Sequence, residues 1–364
     1  MNVVGFELNY NYRDDKGQLH ERTSAVDYFR VVQPLLYLKK NTDWNIEIRR
    51  DPFINGDKNW KDITNKFDII FSGYNIAKEA AYISIRVHGM RNNCNLVLDL
   101  DDNIWEIDES NPVYERLHPG TKDHDRVEAI LKDVPHLICT QPFLLDRIVH
   151  YTKRIGSMTH SIGNSIDLDL YNPDPHVEDD KIVIVYSGSH THFLDINFPP
   201  FVKAMHRILN EYKNVHFWAI GMMTNIFANY GERYRYIPGH SDFMEYIKLW
   251  KKEISMADIA VAPLHTSNFS KSKSSLKFLE YSAAKLPTIT SNVYPYRRER
   301  NSDIIFAQNE EEWYKNLKDL VENEQKRKKI GENNYNYVKN KRNISKNWIK
   351  YKELFENIVK NMKD

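Results

Sequence analysis

A chain of 364 residues is long enough for two ordinary α/β domains, each with its own core. Its 51 Lys and Arg nearly balance 50 Asp and Glu, so no global basic charge points to a nucleic-acid partner. The two cysteines, Cys94 and Cys139, lie in apolar strand-like runs without CxxC or histidine spacing, which disfavours disulfide and metal roles and leaves buried thiols in a reducing compartment.

The opening MNVVGFELNYNYRDD has no basic segment followed by a long apolar one, and no apolar run approaches the roughly 18–20 residues of a membrane span. A cytoplasmic protein, at most peripheral to a membrane, is expected. Residues 3–8 predict a first strand, followed by a polar loop through Arg13, Asp14, Asp15 and Gly17; the absence of G-x-G-x-x-G after it argues against a dinucleotide site. A helix over residues 24–39 carries Val26, Phe29, Val32, Leu35 and Leu36. Its Arg30 reads as an isolated surface arginine, or else as one facing a cleft between domains. Strands recur at residues 44–49, 68–72, 96–100 and 136–140 with helical stretches between several of them, the alternation of a parallel, doubly wound sheet.

The strand at 96–100 runs into LDLDDNIWEID, so Asp99, Asp101 and Asp102 emerge at a carboxyl strand end, where open α/β sheets bind ligands. Asp99 fits simple alternation into the sheet. Together the carboxylates suit a divalent metal, a general base for a hydroxyl, or solvated loop charge. A helix from Gln141 leads into THSIGNSIDLDLYNPDP, where Pro173 and Pro175, followed by VEDD, read as a linker and put a domain boundary at about residues 170–180.

The second half opens with KIVIVYSGSHTHFLDINF, an apolar strand ending in Ser187, Gly188 and Ser189, a small-residue turn that lets a ligand reach backbone N–H groups. His190, His192 and Asp195 follow, at a spacing that is not a standard zinc one. A helix over 198–212, strands at 215–221 and 233–238, a helix over 242–255 with Phe243, Tyr246, Ile247 and Trp250 inward, and the strand in MADIAVAPL come next. Then FSKSKSSLKFLEYSAAKLPTITS, residues 269–291, reads as a loop, a helix, a turn at Leu286 and Pro287, and a short strand. Leu276, Leu279 and Ala283 form an apolar stripe, Lys277, Glu280 and Tyr281 an adjoining face, and Ser274 and Ser275 are natural caps. Free N–H groups and a positive dipole end beside Lys271, Lys273 and Lys277 suit a diphosphate. Glu280 lies about 5 Å further along the axis, within reach of ribose hydroxyls. The same residues also read as a surface helix with a Lys277–Glu280 pair worth about a few tenths of a kcal/mol. Tyr294, Tyr296, Arg297 and Arg298 read as loop, or as one wall of a site. The lysine-rich C-terminal helices carry apolar stripes at Trp313, Leu317 and Leu320 and at Trp348, Tyr351, Leu354, Phe355 and Ile358, read as packing, with an anionic membrane or DNA surface as the alternative.

These motifs resemble the group 1, family 4-like, mostly retaining glycosyltransferases of GT-B fold, in a divergent branch associated with polysaccharide and phage enzymes. The family pattern is two glutamates separated by seven residues, then a small residue, Pro and a strand. Glu280 matches the second glutamate, and Ala283, Ala284, Pro287 and Ser291 match the small residues, proline and strand; Ser272 stands where the first glutamate would be, the one the family assigns to the transferred sugar. KSxxKFLEY, SGSxTHxxD at 187–195, DxDD at 99–102, YFRVVQPLLYL at 28–38, and Asn164, Ile166 and Asp167 after Gly163 in place of proline are similar to that branch. The resemblance implies an α/β GT-B architecture of two Rossmann-like doubly wound domains facing a central cleft: residues 1–172 on the acceptor side, 173–342 for the nucleotide sugar, and a helix at 343–364 returning to the first domain. It implies a hexosyltransferase that moves a sugar from a UDP- or GDP-sugar, UDP foremost, to an acceptor hydroxyl with retention, without a bound cofactor or metal. Gly188, Ser189, Thr191, Lys273, Ser274, Lys277 and Glu280 would bind the donor, residues 237–240 its base, and Asp101, Asp102 and His192 would be catalytic. The acceptor is a glycan, a lipid-linked sugar, a protein or a modified DNA base. The rival classes are a non-catalytic nucleotide- or glycan-binding relative and a sugar-nucleotide epimerase.

Overall fold

A computed structural model describes residues 1–7, 12–13, 19–20, 23–50, 60–74, 79–154, 158–176 and 180–361. The expected loop residues Asp14, Asp15 and Gly17 and the linker residues 177–179 lie outside the described residues. The chain divides into two compact units.

The first unit comprises residues 1–107, 115–164 and 344–364. Its strands are β1 (Asn2–Glu7), the short antiparallel pair β2 (Tyr12–Arg13) and β3 (Leu19–His20), then β4 (Asn45–Arg50), β5 (Ile69–Gly73), β6 (Asn95–Leu100), β7 (His136–Cys139) and β8 (Thr159–Ser161). Six of them form one parallel sheet in the order β4-β1-β5-β6-β7-β8. β5 and β6 are buried at every position, as their near-continuous apolar runs require of strands covered on both faces. The helix Ile349–Lys360 lays Tyr351, Leu354, Phe355 and Ile358 into this unit's core beside Val3, Leu35 and Phe71.

The helix expected at 24–39 forms, but in three pieces: Ala25–Asp27, a π-helical turn Tyr28–Val32, and Gln33–Asn41. Pro34 supplies the reason. It has no N–H to offer the Arg30 carbonyl four residues back, and its ring crowds that carbonyl; the turn widens so that the Gln33 N–H bonds to Tyr28 O instead. Arg30 is not the surface arginine expected from the sequence. It is 2% exposed, pairs through Nε and Nη2 with both Asp99 oxygens at 2.8 Å, and donates through Nη1 to Ile162 O and Asn164 Oδ1. Burial works against the guanidinium charge, but the Asp99 carboxylate outweighs it and holds the group above its usual range.

The second unit comprises residues 108–114 and 165–343. Its parallel sheet runs β11-β10-β9-β12-β13-β14, with β9 Ile182–Ser187, β10 Val215–Ile220, β11 Tyr234–Ile237, β12 Ile259–Ala262, β13 Thr288–Ser291 and β14 Ile305–Ala307. The strand order reverses between β9 and β12, the kind of switch point where open α/β sheets bind ligands. Helices Pro199–Glu211 and Glu310–Glu322 close one face, with Phe201 edge-on to Trp313 at 5.2 Å between ring centroids. Residues Tyr294–Arg297, expected as loop, form a short helix whose Tyr296 is buried.

The Arg30–Asp99 pair generates a stability prediction. Asp99→Ala leaves a buried guanidinium without its countercharge and is expected to cost about 3–5 kcal/mol, whereas the double change Arg30→Met, Asp99→Leu recovers part of that loss. Urea unfolding of both variants checks this; equal destabilisation by the single and double changes contradicts it.

Candidate functional site

The carboxyl edge of the second sheet brings three glycines together. Beyond β9 the Gly188 N–H continues the ladder to Ile220 O at 2.9 Å, and beyond β10 the Gly221 N–H continues it to Ile237 O at 2.8 Å. A Cβ on Gly221, whose φ is +82°, would lie 2.6 Å from Gly188 O, and one on Gly239 would lie 2.8 Å from Gly221 Cα. Side chains are therefore excluded, and backbone is what this edge offers a ligand. Ser189 and Thr191 bond to each other through their hydroxyls at 2.8 Å, and the His192 N–H closes the turn onto Ser189 O at 3.0 Å. Below the loop Ser187 donates its N–H to Tyr281 Oη at 2.7 Å. The Tyr186 hydroxyl, fully buried, has no hydrogen-bond partner among the described residues. In the region expected to meet a base, Ile237 is buried while Pro238, Gly239 and His240 are exposed.

The stretch at 269–291 departs from its expected shape at two points. Its start is a helix, Asn268–Ser272, rather than a loop, because Ser267 caps it by accepting the Ser270 N–H at 3.0 Å. Ser272 is fully buried and donates to Asn268 O one turn back. Ser275 occupies the cap position of the helix Leu276–Ala283 but does not cap it; its hydroxyl donates to Glu299 Oε1 at 2.8 Å. No ion pair joins Lys277 to Glu280 among the described residues. Glu280 is buried, accepts from Tyr171 Oη at 2.7 Å, and is pushed up to about 7 by burial, against the pull of Tyr171 and Lys277. Lys277 Nζ lies 5.7 Å from the Tyr186 ring centroid, and burial, then the Lys273 charge, lowers its pKa to about 8. Two lysines thus share one small region with a carboxylate poised between charge states.

A chain of alternating acids and histidines adjoins the loop. His192 Nδ1 meets Asp195 Oδ2 at 2.6 Å, Asp195 Oδ1 receives His265 Nδ1 at 2.8 Å and the His265 N–H at 3.3 Å, and His265 Nε2 meets Asp108 Oδ2 at 2.8 Å. Ser267 Oγ adds a donor to Asp108 at 3.2 Å. Burial opposes charge on His265, yet its bonds to Asp108 and Asp195 raise it to about 9. Burial, with the Lys273 and Lys277 charges, pushes His192 down to about 3 against the pull of Asp195.

In the first unit Asp101 and Asp102 follow β6, both half-buried. Burial first, then the charges of Asp102 and Asp99, pushes the Asp101 carboxyl well above its ordinary range. Asp99 is committed to Arg30, which removes it from any shared carboxylate site. Among the described residues no group of three or more His, Cys, Asp or Glu is arranged to hold a metal ion.

Residues 181–323 match the family model for group 1 glycosyl transferases. The chain carries a group 1 glycosyl transferase domain. Its fold is GT-B, and the protein is a transferase enzyme. Similar solved structures include a glycosyltransferase from Rickettsia africae ESF-5, at a TM-score of 0.67 and 13% identity over 99% of both chains. Sucrose-phosphate synthase (tll1590) from Thermosynechococcus elongatus gives 0.67 and 11% over 99% of both. Alr3699/HepE of Anabaena in complex with UDP gives 0.65 and 9%, over 98% of this chain and all of that one. At these identities the likeness is one of fold. No curated protein sequence matches the chain significantly.

In this glycosyltransferase the second unit brings Gly188, Ser189, Thr191 and His192 to the carboxyl edge of the β9 strand, where burial and then the charges of Lys273 and Lys277 disfavour a charged His192 ring. Asp101 and Asp102 belong to the other unit, and Ser274 lies half-buried just before the second helix. Tyr171, Asp108 and His265 are polar members of the second unit that sequence reasoning does not single out. His265 carries one usable signal, its position directly after the buried strand in MADIAVAPLH.

The raised His265 pKa sets a pH window. Its charged form is favoured by folding, so the contribution is complete below about 6.5, its ordinary value, and fades as pH rises through about 9. His265→Gln is expected to cost about 1–2 kcal/mol more at pH 6 than at pH 9.5, after allowing for solvent screening. Urea midpoints of both proteins at the two pH values measure the gap; a gap independent of pH contradicts the assignment.

Proposed function

We propose that the protein transfers a sugar from a UDP-sugar to an acceptor hydroxyl with retention of configuration. The observation that carries the reading is the start of the Leu276–Ala283 helix, which Ser275 leaves uncapped, with Lys273 and Lys277 beside it, near a loop that offers backbone. First-turn N–H groups, a positive dipole end and two ammonium groups stabilise negative charge as a diphosphate leaves, which lowers the barrier to cleaving the glycosidic phosphate bond. Gly188, Ser189, Thr191 and Ser274 complete the diphosphate's surroundings. Glu280 gives one oxygen to Tyr171, and its other oxygen serves the ribose hydroxyls. Supporting UDP as the nucleotide, HepE, similar in fold, has been solved with UDP and with UDP-glucose.

Asp101 and Asp102 act on the acceptor in this reading. The charges of Asp102 and Asp99 and the burial of Asp101 raise its affinity for a proton, which suits a group that takes one from a hydroxyl. Retention rests on the family resemblance; Ser272, bonded within its own helix, contributes no carboxylate to the sugar. The acceptor is a hydroxyl of a glycan, lipid-linked sugar or protein.

Thermal shift with UDP-, GDP-, ADP- and dTDP-sugars, each with EDTA present, tests the donor. A ligand at about 100 times its Kd adds about 2.7 kcal/mol, a shift of several degrees. The expected result is such a shift with UDP-sugars, and a UDP affinity about 10–100-fold weaker in a folded Lys277→Ala variant. A shift from no nucleotide sugar, or a Lys277→Ala protein that binds UDP as well as the parent, contradicts the reading.

A further inference from the structure

His192 sits in the turn after the candidate phosphate loop, where a histidine is readily read as a cation for phosphate. Its surroundings dictate otherwise. Both ring nitrogens of His265 face carboxylate oxygens, Asp195 Oδ1 and Asp108 Oδ2, each at 2.8 Å, so both carry protons and the ring is a cation. Asp195 spends Oδ1 on that cation and Oδ2 on His192 Nδ1 at 2.6 Å. An ionised carboxylate only accepts, so His192 Nδ1 is the protonated nitrogen. A second proton, on Nε2, would create a further cation beside Lys273 and Lys277, in a site whose one shared countercharge already serves His265. Burial and the two lysine charges disfavour it.

His192 is therefore a neutral ring whose Nε2 carries a lone pair. Its side chain keeps 18% exposure, and Nε2 has no partner among the described residues. Diphosphate oxygens are acceptors and have nothing to give that nitrogen. The group that does is a hydroxyl bonded close to the diphosphate. We propose that His192 Nε2 accepts a hydrogen bond from a hydroxyl of the transferred sugar, with His265, held between Asp195 and Asp108, as the positioning residue that fixes the orientation and tautomer of His192. This rests on the donor-site reading above. His192 recognises the sugar and does not neutralise phosphate, a division of labour with Lys273 and Lys277.

The test is calorimetric titration of the full chain and its variants with UDP, UDP-glucose, UDP-galactose and UDP-N-acetylglucosamine, alongside long-range 1H–15N spectra of the histidine rings. In the parent, the spectra are expected to show His192 with Nδ1 protonated and Nε2 bare from pH 5 to 8. His192→Phe is expected to leave UDP affinity within about twofold and to weaken the preferred UDP-sugar about tenfold, the loss of one hydrogen bond to a desolvated hydroxyl. His192→Gln, whose amide oxygen accepts, recovers most of that loss. In His265→Gln the cation sharing Asp195 is gone, so the His192 titration moves up toward 6.5 and the ratio of UDP-sugar to UDP affinity, flat with pH in the parent, falls below that pH. A purely structural role for His265 would not move the titration. Equal losses for UDP and UDP-sugars in His192→Phe, no loss for either, or a protonated Nε2 in the parent overturns the proposal. Failure of the parent to bind UDP at all is the separate failure of the donor-site reading, and it takes the sugar assignment with it.

Discussion

Asp195 has two oxygens and takes three donors: the His192 ring on one, and the ring and backbone N–H of His265 on the other. It is 2% exposed, and its neighbours' donated protons hold it ionised far below the usual carboxylate range even though burial pulls the other way. Through it the turn after β9 is fixed to the loop after β12, and through His265 to Asp108 of the 108–114 segment. These loops lie at the reversal of strand order, between β9 and β12. A buried carboxylate with fewer donors would protonate or destabilise the fold; with three it fixes the relative positions of two loops and leaves their outward faces free.

A second buried carboxylate, Glu299, acts on the neighbouring element. It is 1% exposed and accepts from Ser275 Oγ, from Arg342 through Nε and Nη2, and from Tyr337 Oη at 2.6 Å. The helix Leu276–Ala283 is thereby held at its cap residue, Ser275, from outside. Had Ser275 capped the helix from within, the fold would gain about 1 kcal/mol, but the first-turn N–H groups would be occupied by a hydroxyl and closed to an anion. The arrangement forgoes local stability and keeps a binding surface. Lys277 and Glu280 show the same tension, since neither takes the ion pair their spacing offers and both have pKa values shifted toward neutrality.

Strands are legible in the sequence wherever a continuous apolar run meets small residues, as in KIVIVYSGS, because a strand covered on both faces has no freedom to alternate. The helix at 24–39 is legible from its apolar spacing, and Pro34 is in plain view, but the widened turn it causes does not show in the spacing. Interactions made across the sheet escape a local reading. Arg30 reads as a surface residue until Asp99, 69 positions away, is placed beside it. His265 and Asp108 are 157 positions apart, and no local period ties them. Ser275 stands where a cap belongs, and only the approach of Glu299 diverts its hydroxyl. The small-residue turn at 187–189 and the lysines at 273 and 277 are visible as types of residue, whereas the protonation state of His192 depends on Asp195, on His265 and Asp108 behind it, and on those two lysines together.

In the proposed function the glycine-lined edge after β9 and the start of the helix Leu276–Ala283 together receive the donor's diphosphate. A crystal structure of the full chain with UDP decides whether they do. Diphosphate oxygens are expected within hydrogen-bond distance of the N–H groups at 189–191 and 276–278, with Lys273 or Lys277 closing on them and Glu280 at the ribose. A UDP whose phosphates lie away from these N–H groups, or a Ser275 hydroxyl that has left Glu299 to cap the helix, would contradict it.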